Sequence, residues 1–143
     1  MYVKNILLRK GNEVISISPE STMLETAKVL RENKIGAILA CDTDGKMCGV
    51  ISERDLVIAI AKCGADVLTK KVGDFMTTGV YTCKAEDSIK KVMEVMTSRR
   101  IRHLPVIGDD GSIIGMISIG DVVKERMSET EAEAEALKAY IAT

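Results

Sequence analysis

The stretch Gly49-Val50-Ile51-Ser52-Glu53-Arg54-Asp55-Leu56-Val57 returns as Gly115-Met116-Ile117-Ser118-Ile119-Gly120-Asp121-Val122-Val123, at an offset of 66 residues. Both versions run from a glycine through aliphatic positions to a serine and place an aspartate three residues beyond it. Held without a gap, the same offset sets Val14 to Val57 against Val80 to Val123 with 11 identities in 44 positions, among them Ile35/Ile101, Asp44/Asp110, Gly45/Gly111, Ser52/Ser118 and Asp55/Asp121. Self-similarity at a fixed period marks a repeated supersecondary unit, so the chain reads as two copies of one small module. Further upstream, Val3 to Leu7 resembles Val72 to Met76 once three residues are inserted in the first half, which adds a short leading helix to each copy.

The same element order is predicted for both copies. Val14-Ile15-Ser16-Ile17 and Val80-Tyr81-Thr82-Cys83 alternate as short strands do. Ser21 and Asp87 stand as helix N-caps before apolar residues at helical spacing, Met23, Ala27 and Leu30 in one copy and Ile89, Val92, Met93 and Met96 in the other. Ala37 to Cys41 and His103 to Ile107 are apolar strands, each followed by an Asp-Gly turn and a returning strand that ends at Ser52 or Ser118. The closing helices start at those serines; the first ends near Cys63-Gly64 and the second continues into the Glu/Ala-rich tail. The unit is β-α-β-β-α, twice, an α+β fold with residues 1–66 as the first repeat, 67–127 as the second and 128–143 as a C-terminal helical extension. A small sheet with helices on one side cannot cover itself, so the copies are expected to pack sheet to sheet with pseudo-twofold symmetry.

Composition excludes several function classes. The 143 residues carry 20 basic and 21 acidic side chains, a net charge of −1, which gives no bulk attraction to nucleic acid or an anionic membrane. Only four aromatics, Tyr2, Phe75, Tyr81 and Tyr140, are present, too few for a base-stacking platform. The apolar runs fall far short of the roughly 20 residues that span a bilayer, and no signal-peptide pattern opens the chain, so a soluble, cytoplasmic protein is expected. Cys41, Cys48, Cys63 and Cys83 form no CxxC pair and read as free buried thiols, with no metal site.

The strand-turn-cap segment Ile17-Ser18-Pro19-Glu20-Ser21, the strand Ile101-Arg102-His103-Leu104-Pro105-Val106, the Asp-Gly hairpins and the doubled Gly-x-Ile-Ser-x-x-Asp segment together resemble a tandem cystathionine β-synthase (CBS) domain pair, or Bateman module, over essentially the whole chain. The resemblance implies a regulatory module that takes AMP, ADP, ATP, NAD or S-adenosylmethionine in clefts between the repeats. It also implies a homodimer acting on a separate effector protein. By this similarity Asp121 accepts hydrogen bonds from ribose hydroxyls and Ser118 serves ribose or phosphate. Thr82, Cys83, Leu104 and Pro105 frame the adenine, and Arg102 and His103 stand against phosphate. The familiar AMP-sensing members carry that basic pair in the opposite order. In the first copy Ser52 and Asp55 match, Ile17, Ala37 and Ile38 line the base, and Arg54 is an available cation. Gly36 and Ala37 replace the basic pair there, so the first site must borrow charge from Arg99, Arg100 or Arg102, and the Ser118/Asp121 site is the better one for a phosphorylated ligand. AMP or another adenine nucleotide is the expected ligand, and no cofactor is required.

Independent chemistry agrees, since a strand feeding a helix N-terminus presents unpaired N–H groups to an anion. Each feature also has a plainer reading. Ser-x-x-Asp is a near relative of a capping box. Arg99 and Arg100 suit a helix C-terminus. Cys41 and Cys48 would oppose each other across a two-residue hairpin loop, yet their counterparts Ile107 and Ile114 are apolar and point to packing. Met93, Met96 and Met116 read as core filler. In the tail, Val123, Met127, Thr130, Ala134, Leu137 and Ile141 recur at alternating four and three, a narrow seam expected to pack against a partner subunit or back onto the module. The competing functions are a structural homodimer with empty clefts and a small enzyme acting on an adenosyl ligand. The chain holds one His and no nucleophilic triad order, metal-spaced cluster or phosphate-cradling GxxxxGK, so no enzymatic activity is expected.

Overall fold

The computed structural model describes residues 1–11 and 13–142. In chain order its elements are α1 (Val3–Lys10), β1 (Ser16–Ile17), α2 (Met23–Glu32), β2 (Ala37–Cys41), β3 (Met47–Ser52), α3 (Glu53–Cys63), α4 (Ile89–Arg99), β4 (His103–Ile107), β5 (Ile113–Ser118) and α5 (Ile119–Ala142), with 3₁₀ turns at Ala65–Thr69 and Val72–Asp74. It is a mixed α/β fold in which the predicted β-α-β-β-α order is complete in the first copy and lacks its first strand in the second. The compact units are Ile15–Val80 on one hand and Met1–Val14 with Tyr81–Thr143 on the other.

Compact units and sequence copies are thus different partitions, because the leading segments are exchanged. Val72 N–H donates to Ser21 O at 2.8 Å and Met23 N–H to Lys70 O at 2.9 Å, clamping the leading segment of the second copy onto the start of α2 in the first. The equivalent clamp in the other unit is Val3 N–H to Asp87 O at 2.9 Å and Ile89 N–H to Met1 O at 3.1 Å. The helix N-caps fall one residue after the predicted ones, at Thr22 and Ser88. Thr22 and Glu25 form a reciprocal capping box, and Ser88 Oγ accepts from Lys91 N–H at 3.1 Å. Asp87 is occupied one turn earlier, its carboxylate accepting from Lys84 N–H at 2.9 Å.

In the unit Ile15–Val80, β1 runs parallel to β2 and β2 antiparallel to β3. In the other, β4 pairs antiparallel with β5, but the strand predicted at Val80–Cys83 is reduced to one parallel bridge, Cys83 to Val106. The cause is Pro105. Its counterpart Leu39 pairs with Ser16, whereas proline has no N–H to donate at that rung, so only the Cys83 rung survives.

Both hairpins close with a bulge in the returning strand. Cys41 pairs with Met47 and Ala40 with Gly49, which leaves Cys48 in the bulge rather than opposite Cys41; Ile114 is in the same position in the second hairpin. The loop is longer than two residues, with Asp42 N–H donating to Lys46 O at 2.9 Å and Asp42 Oδ1 accepting from Asp44 and Lys46 N–H, each at 2.9 Å. The thiols are all free, but of the four only Cys83 is buried, and Cys63 is exposed.

Strand alternation separates two sheet faces. Ile38, Ala40 and Ile51 join Met23, Leu30 and Leu56 in one core, while Leu104, Val106 and Ile117 join Val3, Ile6, Val92 and Met96 in the other. The opposite faces carry the register pairs Ala37 with Ser52 and His103 with Ser118. Met96 is core filler as predicted and Met93 packs against the same core.

Among the described residues Lys34 and Arg100 are the two non-glycine residues with positive φ, 53° and 55°, and they are repeat counterparts just past the ends of α2 and α4. In each, the next amide reaches back to the helix, Ile35 N–H to Leu30 O and Ile101 N–H to Met96 O, both at 3.0 Å. A left-handed residue with a Cβ costs about 1–2 kcal/mol that glycine avoids. Lys34→Gly is therefore expected to raise the denaturation midpoint by an amount worth about 1 kcal/mol with an unchanged slope, measured by urea unfolding.

Candidate ligand-binding site

In the unit that contains Tyr81–Thr143, Ser118 ends β5 and Asp121 lies in the first turn of α5. Ser118 N–H donates to Asp121 Oδ2 at 2.9 Å, and Asp121 N–H donates to Ser118 Oγ at 3.1 Å. Ser52 and Asp55 make the same reciprocal pair at 2.9 and 3.2 Å in the other unit. The capping role is thus realised in both copies, and it leaves each carboxylate fixed in place rather than swinging.

A third group separates the two. Lys10, at the end of α1, donates through Nζ to Asp121 Oδ2 at 2.8 Å and to Met116 O at 3.1 Å. Burial pushes the Asp121 carboxyl up, but the Lys10 hydrogen bond, the Ser118 N–H and the Lys10 charge outweigh it and hold the pKa below the ordinary aspartate value. Asp121 is therefore an ionised, half-buried carboxylate at neutral pH. Among the described residues its side-chain bonds run to Oδ2, leaving Oδ1 as an acceptor. Sequence reasoning missed Lys10. A lysine closing a helix reads as dipole compensation, and nothing local shows that α1 lies beside the second copy's strands.

His103 opens β4 directly opposite Ser118 and is half-buried. Arg102 precedes it, exposed, with its carbonyl accepting from Ile119 N–H at 2.7 Å, which ties the basic segment to the start of α5. Thr82 is exposed beside the single Cys83 rung. Cys83 itself is a core residue, 4% exposed, with both backbone groups bonded to β4. Burial pushes its thiol up to about 12, so it is neutral and unreactive at physiological pH. Leu104 and Pro105 are buried, Leu104 in the core and Pro105 on the His103 face. The structure thus brings Thr82, Cys83, Arg102, His103, Leu104, Pro105, Ser118 and Asp121 into one unit, with Lys10 added.

The first-copy candidates lie together in the other unit. Ala37 is paired with Ser52, Arg54 is exposed on the first turn of α3, and Ile17 is half-buried beside Ala40. Ile38 is fully buried in the core. No counterpart of Lys10 acts on Asp55 among the described residues. Arg99 lies over the Tyr81 ring at 5.0 Å, a cation–π contact that fits its reading as a helix-end cation.

The CBS domain family matches the chain twice, at residues 3–62 and 72–128. The mitochondrial CBS domain-containing protein CBSX3 of Arabidopsis thaliana is 36% identical, over 97% of this chain and 71% of that protein; the next two curated relatives are spanned over 57% and 22% of their lengths. The structure of the CBS-domain protein ATU1752 from Agrobacterium tumefaciens is 43% identical with a TM-score of 0.86, covering 88% of this chain and 99% of that one. Two ligand-bearing structures share the fold. PAE2072 from Pyrobaculum aerophilum, complexed with AMP, is 24% identical with a TM-score of 0.75 and covers 85% and 89% of the two chains. The pair from MJ0100, with 5′-methylthioadenosine and S-adenosylmethionine, is 24% identical with a TM-score of 0.80 and covers 90% and 98%. The chain therefore belongs to the CBS domain family and carries two tandem copies of that domain.

Proposed function

We propose that this chain is a regulatory rather than catalytic protein that binds an adenosine-containing ligand, AMP or another adenine nucleotide such as ADP, ATP or NAD, and passes its occupancy as a homodimer to a separate effector protein. The observation that carries the reading is the ionised Asp121, fixed by Ser118 and Lys10 at the N-terminus of a long helix with one carboxylate oxygen to spare. A carboxylate held rigid in that way is an acceptor for two adjacent hydroxyls, the signature of a ribose. The helix N-terminus, Lys10, Arg102 and His103 favour the phosphate that follows it. The Lys10 and Arg102 charges favour AMP, as in the PAE2072 complex, over the sulfonium of S-adenosylmethionine seen with MJ0100.

Thermal unfolding with millimolar AMP, ATP, NAD and S-adenosylmethionine tests the reading. A ligand at about a hundred times its Kd adds roughly 2.7 kcal/mol, a rise of about 8–10 °C for a chain of this size. A rise confined to adenine nucleotides supports the proposal. No rise with any of the four supports the structural homodimer instead, and turnover of the added nucleotide supports the enzyme.

A further inference from the structure

Helix α5 buries one side and exposes the other. Val122 and Glu125 are buried, whereas Val123, Met127, Leu137 and Ile141 are 41%, 59%, 59% and 73% exposed. The exposed four, with Thr130 and Ala134 between them, are the seam noted in the sequence, and residues 131–142 are exposed throughout. The tail therefore does not pack back onto the module, the alternative left open by the sequence. Val123 and Met127 also line an apolar groove with Ile119, between Arg9 and Glu131.

The charges beside the seam specify its occupant. With Val123, Thr130 and Leu137 at d and Met127, Ala134 and Ile141 at a, the g positions are Arg126, Glu133 and Tyr140 and the e positions are Lys124, Glu131 and Lys138. In a parallel, in-register pair each g residue faces the e residue five places on in the other helix. Arg126 then meets Glu131 of the second copy and Glu133 meets its Lys138, each contact formed twice. In an antiparallel pair g meets g and e meets e, setting Glu133 on Glu133, Glu131 on Glu131 and Lys124 on Lys138, all repulsive. Leu at d and Ile at a in the last heptad suit two parallel strands.

We propose that α5 is the docking surface for a second copy of this chain, in a parallel two-stranded coiled coil along Val123 to Ile141. This deepens, and rests on, the homodimer in the reading above. Thr130 and Ala134 make the centre thin, so the pairing is concentration-dependent.

Sedimentation equilibrium of the full chain over a range of concentrations tests it, with circular dichroism confirming that each variant is folded. A concentration-dependent dimer is expected. Leu137→Gln weakens it about tenfold or more, while Ala132→Gln, on the opposite side of the helix, leaves it unchanged. Lys138→Glu weakens it, and Glu133→Lys with Lys138→Glu restores it. A dimer indifferent to Leu137→Gln overturns the coiled coil and leaves the homodimer standing. A monomer at every concentration overturns both. Tightening by Lys138→Glu, which would place a carboxylate opposite Lys124 in the antiparallel pair, overturns the parallel orientation.

Discussion

Arg9→Ala is expected to lower stability by about 3 kcal/mol, and Arg9→Ala combined with Glu125→Met to recover most of it. Glu125 is 4% exposed on the buried side of α5, and the ion pair to Arg9 Nη2 engages the oxygen that has no hydrogen-bond partner among the described residues. Taking the arginine away strands a charge that water cannot reach, whereas replacing both ends leaves two apolar groups of suitable volume in an apolar place. Thermal unfolding reads the difference as a fall of about 10 °C in the single variant and a few degrees in the double. A single variant within about 0.5 kcal/mol of wild type would show that Glu125 needs no cation and that the pair behaves as a surface one. The result also bears on architecture, since Arg9 belongs to α1 and Glu125 to the second copy's closing helix.

Gly49→Ala is expected to cost about 3 kcal/mol and Gly115→Ala about 1 kcal/mol or less, although the two glycines are repeat counterparts. A Cβ on Gly49 would lie 2.6 Å from the backbone oxygen of Thr77 and 2.8 Å from Met76 Sδ. Thr77 cannot move without breaking its two bonds to Val50, Val50 N–H to Thr77 O at 3.0 Å and Thr77 N–H to Val50 O at 2.8 Å. A Cβ on Gly115 also meets an atom at 2.6 Å, but that atom is Leu7 Cδ2, the tip of a side chain that can turn to another rotamer. Equal unfolding midpoints for the two variants would mean that the backbone around Thr77 yields as readily as a leucine tip. Both glycines exist because a leading segment crosses the strand there.

These two cases also mark where the sequence is legible. The repeat, the hairpins and the Ser-x-x-Asp pairs are local, set by spacing and turn residues, and they appear where the pattern puts them. The N-caps slip by one because Ser21-Thr22 and Asp87-Ser88 each offer two competent caps in a row, and only the structure shows that Asp87 is already committed to Lys84. Pro105 removes a rung that alternation alone would grant to Thr82. The exchange of leading segments is the deepest omission. It is a pairing across most of the chain with no local signal, and it is what delivers Lys10 to Asp121 and Arg9 to Glu125. Of the four thiols expected to be buried, only Cys83 is, and Val3 and Ile6 of the exchanged segment share its core.

The central claim is that Asp121 receives the ribose of an adenine nucleotide. Isothermal titration calorimetry of AMP into wild type, Asp121→Asn and Asp55→Asn tests it most directly, because the asparagine amide oxygen can still accept the hydrogen bond from the serine N–H but carries no charge. The expected result is binding by wild type, retained by Asp55→Asn and weakened at least about tenfold by Asp121→Asn. Undiminished AMP binding by Asp121→Asn, or loss confined to Asp55→Asn, would contradict the claim.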